Sequence, residues 1–201
     1  MASEVDIANL ALARLGDTAS VASISPPEGS SQAEHCARFY PIARDSLLEM
    51  HDWGFTTRRA TLAALSVTTW NWSYAYARPA NVVRLLAVLP AAASPDDAGE
   101  PYDTENTDTG TAIILTDLAD ATLRYTLRVT DTTKFTPLFT DALAWLLASH
   151  LAGPVIKGDA GTAEAKRCMA MFQVMLSQAV RSDSNQRHHV PTHTPDWMGG
   201  R

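Results

Sequence analysis

Residues 43–62 read ARDSLLEMHDWGFTTRRATL, and a change of rhythm inside this stretch decides the fold. Up to His51 the residues Ala43, Leu47, Leu48 and His51 recur at steps of three and four, giving one mostly apolar helix face. From Trp53 the period falls to two, as it does where strands begin. A helical segment therefore hands over to a sheet at Trp53.

Working back from that point, the helix extends to a capping box, Ser31 with Glu34, through Ala33, Cys36, Ala37 and Tyr40. Pro41 lies inside the pattern, where it removes a backbone donor, so a kink or break is expected there. Before it comes a short helix capped by Ser3, with Ile7, Leu10, Ala11 and Leu15 as its stripe and Gly16 at its left-handed end. Working forward, residues 53–62, 71–77, 81–89, 111–116 and 121–130 read as strands, with Asp117-Leu-Ala-Asp120 short enough to join the last two as a hairpin. Helix character returns at Pro137 and stops at Gly153-Pro154. A last helix after Gly161 shows Cys168, Met171, Phe172, Met175, Leu176 and Ala179 at helical spacing.

This order predicts an α+β fold. A four-helix bundle, residues 1–52 and 136–182, carries an antiparallel β-sheet insertion, residues 53–135, between its second and third long helical segments. Residues 183–201, polar and without period, form an extended flexible C-terminal arm.

The chain has 201 residues and a formal net charge of -6. That charge is local: residues 1–90 and 124–201 are near balance, whereas residues 91–123 hold eight acids and no base. The longest apolar candidate, Leu138 to Ala152, is interrupted by Thr140 and Asp141, so no membrane span is expected. The acidic start, Met-Ala-Ser-Glu-Val-Asp, lacks the basic region of a secretory signal, which places synthesis in the cytoplasm. Cys36 and Cys168 fall on apolar helix stripes and are expected to be buried, reduced thiols.

Chemistry-bearing patterns are sparse. No Gly-rich phosphate loop or Gly-x-Ser-x-Gly elbow occurs. Pairs such as Asp96 with Asp97 sit in a Pro/Gly-bearing loop, whereas a general acid needs a carboxyl held in an apolar pocket. His188, His189 and His193 lie close together without cysteines, which suits a solvated segment better than a metal site. His35, His51 and His150 are expected to be partly buried and hydrogen-bonded. The Arg58-Arg59 and Lys166-Arg167 pairs stand isolated along the chain, so no basic patch for nucleic acid is expected. No cofactor or catalytic residue is predicted.

One ordered set of segments is distinctive. Asn9-Leu-Ala-Leu-Ala-Arg-Leu-Gly16 precedes Cys36-Ala-Arg-Phe-Tyr-Pro41, Ala43-Arg-Asp-Ser-Leu-Leu48 and His51-Asp-Trp-Gly-Phe55. Arg59-Ala-Thr-Leu-Ala63, Trp72-x-Tyr74-Ala-Tyr76-x-x-Pro79 and Phe135-x-Pro137-x-Phe139 follow. Together, from about residue 7 to residue 180, they resemble the head-tail adaptor, or tail tubular protein A, family of short-tailed bacteriophages. The resemblance implies a non-enzymatic virion protein of the phage neck, assembled in the host cytoplasm. It implies a homo-oligomeric ring, typically a dodecamer, contacting portal protein and tail nozzle protein, with tail fibres as a further candidate partner. Double-stranded DNA would pass through it without sequence-specific binding. The competing expectation is a phage tail component with cell-wall hydrolase activity, which would need paired carboxylates across a cleft.

In a ring, each subunit needs two complementary flanks. The aromatics Trp70, Trp72, Tyr74 and Tyr76 are either anchors of such a contact or sheet core. Asp96, Asp97, Glu100, Asp103, Glu105 and Asp108 are candidates to face the channel or nozzle, where carboxylates would repel passing phosphates. Arg187, His188, His189, Trp197 and Arg201 are candidates for contact with a partner.

Overall fold

The computed structural model describes residues 2–93 and 99–186. Among them the chain is a mixed α+β fold with four helices and two antiparallel sheets. The helices are α1 (Glu4–Arg14), α2 (Ser31–Met50), α3 (Pro137–Ile156) and α4 (Gly158–Asn185). Between α2 and α3 run β1 (Thr57–Thr61), β2 (Ala64–Leu65), β3 (Tyr74–Ala77), β4 (Val82–Leu89), β5 (Tyr102–Asn106), β6 (Ala112–Thr116) and β7 (Thr122–Leu127). Asp96, Asp97, Arg187, His188, His189, Trp197 and Arg201 lie outside the described residues.

Helix α3 is apolar almost all round, and it packs against each of α1, α2 and α4. By length and composition it could cross a membrane, yet 56% of its apolar stretch is buried within the fold. Arg14 joins three helices at one point: it pairs with Asp141, lies 4.1 Å from the Trp145 ring, and its carbonyl accepts from Arg167 at 3.0 Å. Gly161 allows the close approach of α3 and α4, since a Cβ there would stand 2.9 Å from the Ala152 carbonyl oxygen.

Helix α1 begins and ends as its sequence indicates. Ser3 and Asp6 cap it reciprocally, and Gly16, at φ 75°, closes it while its N–H and that of Asp17 bond back to Ala13 and Leu12. Helix α2 differs in two ways. Its cap is Ser30, which accepts from the Ala33 N–H, and the Ser31–Glu34 box does not form because Ser31 already lies in the helix. It also runs through Pro41 unbroken: the ring is exposed, and the buried face of Tyr40, Ala43, Leu47 and Leu48 holds both sides in place. Helix α3 likewise continues past Gly153-Pro154 to Ile156, leaving Lys157 alone, at φ 63°, as the joint to α4. Helix α4 starts at Gly158 and extends to Asn185, so residues 183–185 of the expected arm are helical.

The β region is narrower than residues 53–135, because Trp53, Val129 and Phe135 belong to the helical core. One sheet has the order β1-β7-β4 and the other β2-β3-β6-β5. The expected hairpin across residues 117–120 is therefore absent, since β6 and β7 lie in different sheets. The inner faces share a core of Tyr76 and Ile114 from one sheet with Val88, Leu123 and Tyr125 from the other, which makes a small two-layer sandwich. Strands β2 and β5 were not predicted.

Candidate interaction surfaces

Strand β5, of sequence YDTEN, pairs with β6 on one side only and is an edge strand. Its acids and Asn are poor strand formers, so the neighbour β6 supplies the order. Side chains alternate between the faces of a strand, and residues paired across strands share a face. Tyr102 and Ile114 contribute to the inner core, whereas Asp103 pairs with Leu115 and Glu105 with Ile113 on the outer face. Asp108 follows on the exposed turn to β6, where Gly110 at φ 81° and the Thr107 hydroxyl, accepting from the Thr111 N–H at 3.0 Å, fix the reversal. Glu100 is exposed and its backbone bridges to Val88. Of the acids expected to face a channel or nozzle, the described ones thus all lie exposed along β5 and its flanks.

The loop before β3 completes this surface. Ala75, Ile113 and Leu115 form a small buried cluster on the outer face, packed by Leu65 and Trp72. The Thr69 hydroxyl donates to the Trp72 carbonyl at 2.6 Å, and Asp117 accepts from the Ser73 N–H and hydroxyl, each at 2.8 Å. These bonds hold a loop from which Trp70 projects, 81% exposed, over an open groove of about 570 Å³ shared with Val67, Glu105, Asp108 and Ile113. The four aromatics proposed as anchors or core therefore divide. Tyr76 is core, its hydroxyl donating to the Leu118 carbonyl; Trp72 is half-buried; Tyr74 and Trp70 are exposed.

The other sheet carries the opposite charge. Strands β1, β4 and β7 contain Arg58, Arg59, Arg84 and Arg124 and no acid. Arg59 pairs directly with Arg124, and Arg84 pairs with Thr126, which shares Arg124's face. The inner core takes Leu123 and Tyr125, so these three guanidiniums occupy the outer face. The expectation of no basic patch is corrected here: three separate strands bring together arginines that the linear sequence keeps apart. None of the three makes an ion pair among the described residues. Arg59 and Arg124 line a groove of about 290 Å³ with Thr57, Leu86, Gly54 and Asp52.

At one end of that groove lies a cluster the sequence did not reveal. Asp183, 5% exposed, accepts from the Gly54 N–H at 3.0 and 3.2 Å and faces His51 at 3.3 Å, while Asp52 stands 3.5 Å from the other imidazole nitrogen. This cluster ties the end of α4 to the turn between α2 and β1. Residues 182–186 read as polar chain, so nothing in their pattern marks Asp183 as buried.

The remaining titratable candidates lie on the helices. Cys36 and Cys168 are free and fully buried; burial pushes the Cys36 thiol up to about 11 and raises that of Cys168 as well. His150 stacks on Phe39 at 5.9 Å, and burial lowers its pKa, favouring the neutral ring. His35 departs from expectation, since its buried Nδ1 has no hydrogen-bond partner among the described residues. Among the described residues no group of three His, Cys, Asp or Glu side chains is placed to hold a metal ion. No protein-family model matches the chain, and no curated protein matches it.

Proposed function

We propose that this chain is a structural head-tail adaptor subunit of a short-tailed bacteriophage, one copy of a ring between portal and tail nozzle through which genomic DNA passes. One observation carries the reading. Two segments of the adaptor resemblance that are far apart in sequence, His51-Asp-Trp-Gly-Phe55 and Phe135-x-Pro137-x-Phe139, meet in a single aromatic cluster. Trp53 and Phe139 lie edge to face at 5.0 Å, Phe55 and Phe139 at 5.1 Å, and Phe135 and Phe139 4.7 Å apart. The Trp53 indole N–H donates to the Leu47 carbonyl at 2.9 Å. Residues that make the resemblance thus act together at the point where the helices meet the sheets, as they would if the whole pattern serves one fold.

In this reading α1, α2 and α4 around α3 constitute a four-helix bundle, and the two sheets are an insertion that supplies surface. The chain beyond Gln186, with Arg187, His188, His189, Trp197 and Arg201, reaches the portal. Both outer sheet faces present charge and side-chain relief, features that suit contact with macromolecules.

Electron microscopy of the purified full chain mixed with its cognate portal tests the proposal. A ring stacked on portal is the expected result. Failure to join portal, with digestion of purified peptidoglycan, would instead support the hydrolase. A chain ending at Gln186 retains Asp183 with its contacts to Gly54 and His51 and is expected to fold but not to join portal. Normal recruitment of that truncation would remove the arm from the mechanism.

A further inference from the structure

The outer faces of the two sheets are opposite in charge, the basic one being covered by the helical core at Thr126 and Val83 and open around Arg59 and Arg84. Strand parity puts Arg59, Arg84 and Arg124 on the outer side of one sheet, and Asp103 and Glu105 on the outer side of the other. The sheet with the arginines has no acid in its strands, and the sheet with the acids has no base in its strands. Arg78 lines a shallow pocket together with Glu105 and donates to the Val82 carbonyl at 3.1 Å. On the basic side, Asp52 sits at the groove's end beside His51. Each face also has relief: Trp70 stands out from the acidic one, and the basic one is grooved between Arg59, Arg124, Thr57 and Leu86.

We propose that these faces dock on each other between copies of this chain, Trp70 of one copy entering the Arg59–Arg124 groove of the next, with Glu105 and Asp108 against the guanidiniums. A knob and a groove on different faces of one subunit form a heterologous contact, which repeats from copy to copy and can close only as a ring. Tryptophan and arginine are the side chains that most often carry binding energy, and a guanidinium on an indole face adds a cation–π attraction. Guanidiniums facing carboxylates fix the register and exclude the reversed pairing, in which like charges would meet. The hydrogen-bonded loop around Trp70 holds the anchor in place before contact, so less is lost on binding. This assigns Glu105 and Asp108 a protein partner in place of the channel. It deepens the adaptor reading and rests on it for the closure into a ring at the portal; the contact itself rests on the charge pattern and relief.

Sedimentation velocity of the full chain at low ionic strength tests the contact. The native sequence is expected to form larger species as concentration rises and to lose them as salt is added. The groove variant Arg59→Glu with Arg124→Glu, and the knob variant Trp70→Ala with Glu105→Gln and Asp108→Asn, are each expected to stay monomeric. Mixed, they leave one intact knob and one intact groove, so a 1:1 dimer and nothing larger is expected. That rescue also shows that both variants fold. A native chain that remains monomeric at every concentration overturns the proposal, as does a mixture no more associated than its components. Loss of duplex-DNA retention by the groove variant, with unchanged self-association, overturns it too and assigns the arginines to phosphate. Rings that form normally on portal from both variants would overturn the contact and leave the adaptor reading standing. Dimerisation as expected without portal recruitment would do the reverse.

Discussion

The helical and β regions of this chain spend their residues differently. Around α3, long runs such as Ala142 to Ala144 and Leu146 to Ala148 are buried, and Trp53, Tyr40 and Phe139 are closed off from solvent. The sandwich has one modest shared core and a small outer cluster, while its edges and outer faces carry Trp70, three aligned arginines and the β5 acids. Apolar mass is concentrated where the fold is held, and charge is sorted by sheet on the exposed strands. The difference teaches that the residues that hold the fold and those that carry the surface charge are separate sets, and that the two can be altered independently.

The largest break is at the junction. Trp53→Ala removes a fully buried indole, its bond to Leu47 and its contact with Phe139, and should cost about 3–5 kcal/mol. Trp53 and Phe55 contact the helices while the adjoining Thr57 opens β1, so one cooperative thermal transition at lower temperature is expected by circular dichroism and tryptophan fluorescence together. If a β-rich signal melts separately at an unchanged temperature, the two regions are independent folding units and the contrast is one between domains.

A smaller break stays within the helices. Gly161→Ala sets a Cβ 2.9 Å from the Ala152 carbonyl oxygen, an atom of backbone that cannot rotate away, so α3 and α4 must separate slightly. Overpacking of this kind costs about 1–3 kcal/mol, read as a shift in the urea midpoint. A substitution without effect would mean that the α3–α4 contact is looser than its geometry indicates.

What could be read from sequence follows the same division. Helix faces, the Ser3 cap and the Gly16 terminus are local features, and they were legible because three to four residues suffice to specify each. Ser30 displaced Ser31 as a cap by one position, a shift that local chemistry does not resolve when two serines adjoin. Pro41 misled because one lost hydrogen bond on an exposed helix face is outweighed by the buried face beside it. In the β region the signals are non-local. Strand β5 exists because β6 is next to it, the link from β6 to β7 crosses between sheets, and the basic face is assembled from three strands. Asp183 was invisible for a related reason, since its partners Gly54 and His51 lie at the other end of the chain.

The finest test compares the two tryptophans at the extremes. Trp70 is 81% exposed and Trp53 is fully buried, so equal truncations remove the same side chain from opposite environments. Exposed side chains distant from caps, ion pairs and cores change stability by no more than about 0.5 kcal/mol, and Trp70→Ala should leave the melting temperature nearly unaltered. Its effect should appear in association alone. A clear loss of stability on replacing Trp70 would show that the indole closes the outer cluster of Ala75, Ile113 and Leu115 as well, and the acidic face would then add a second core to the modest one between the sheets.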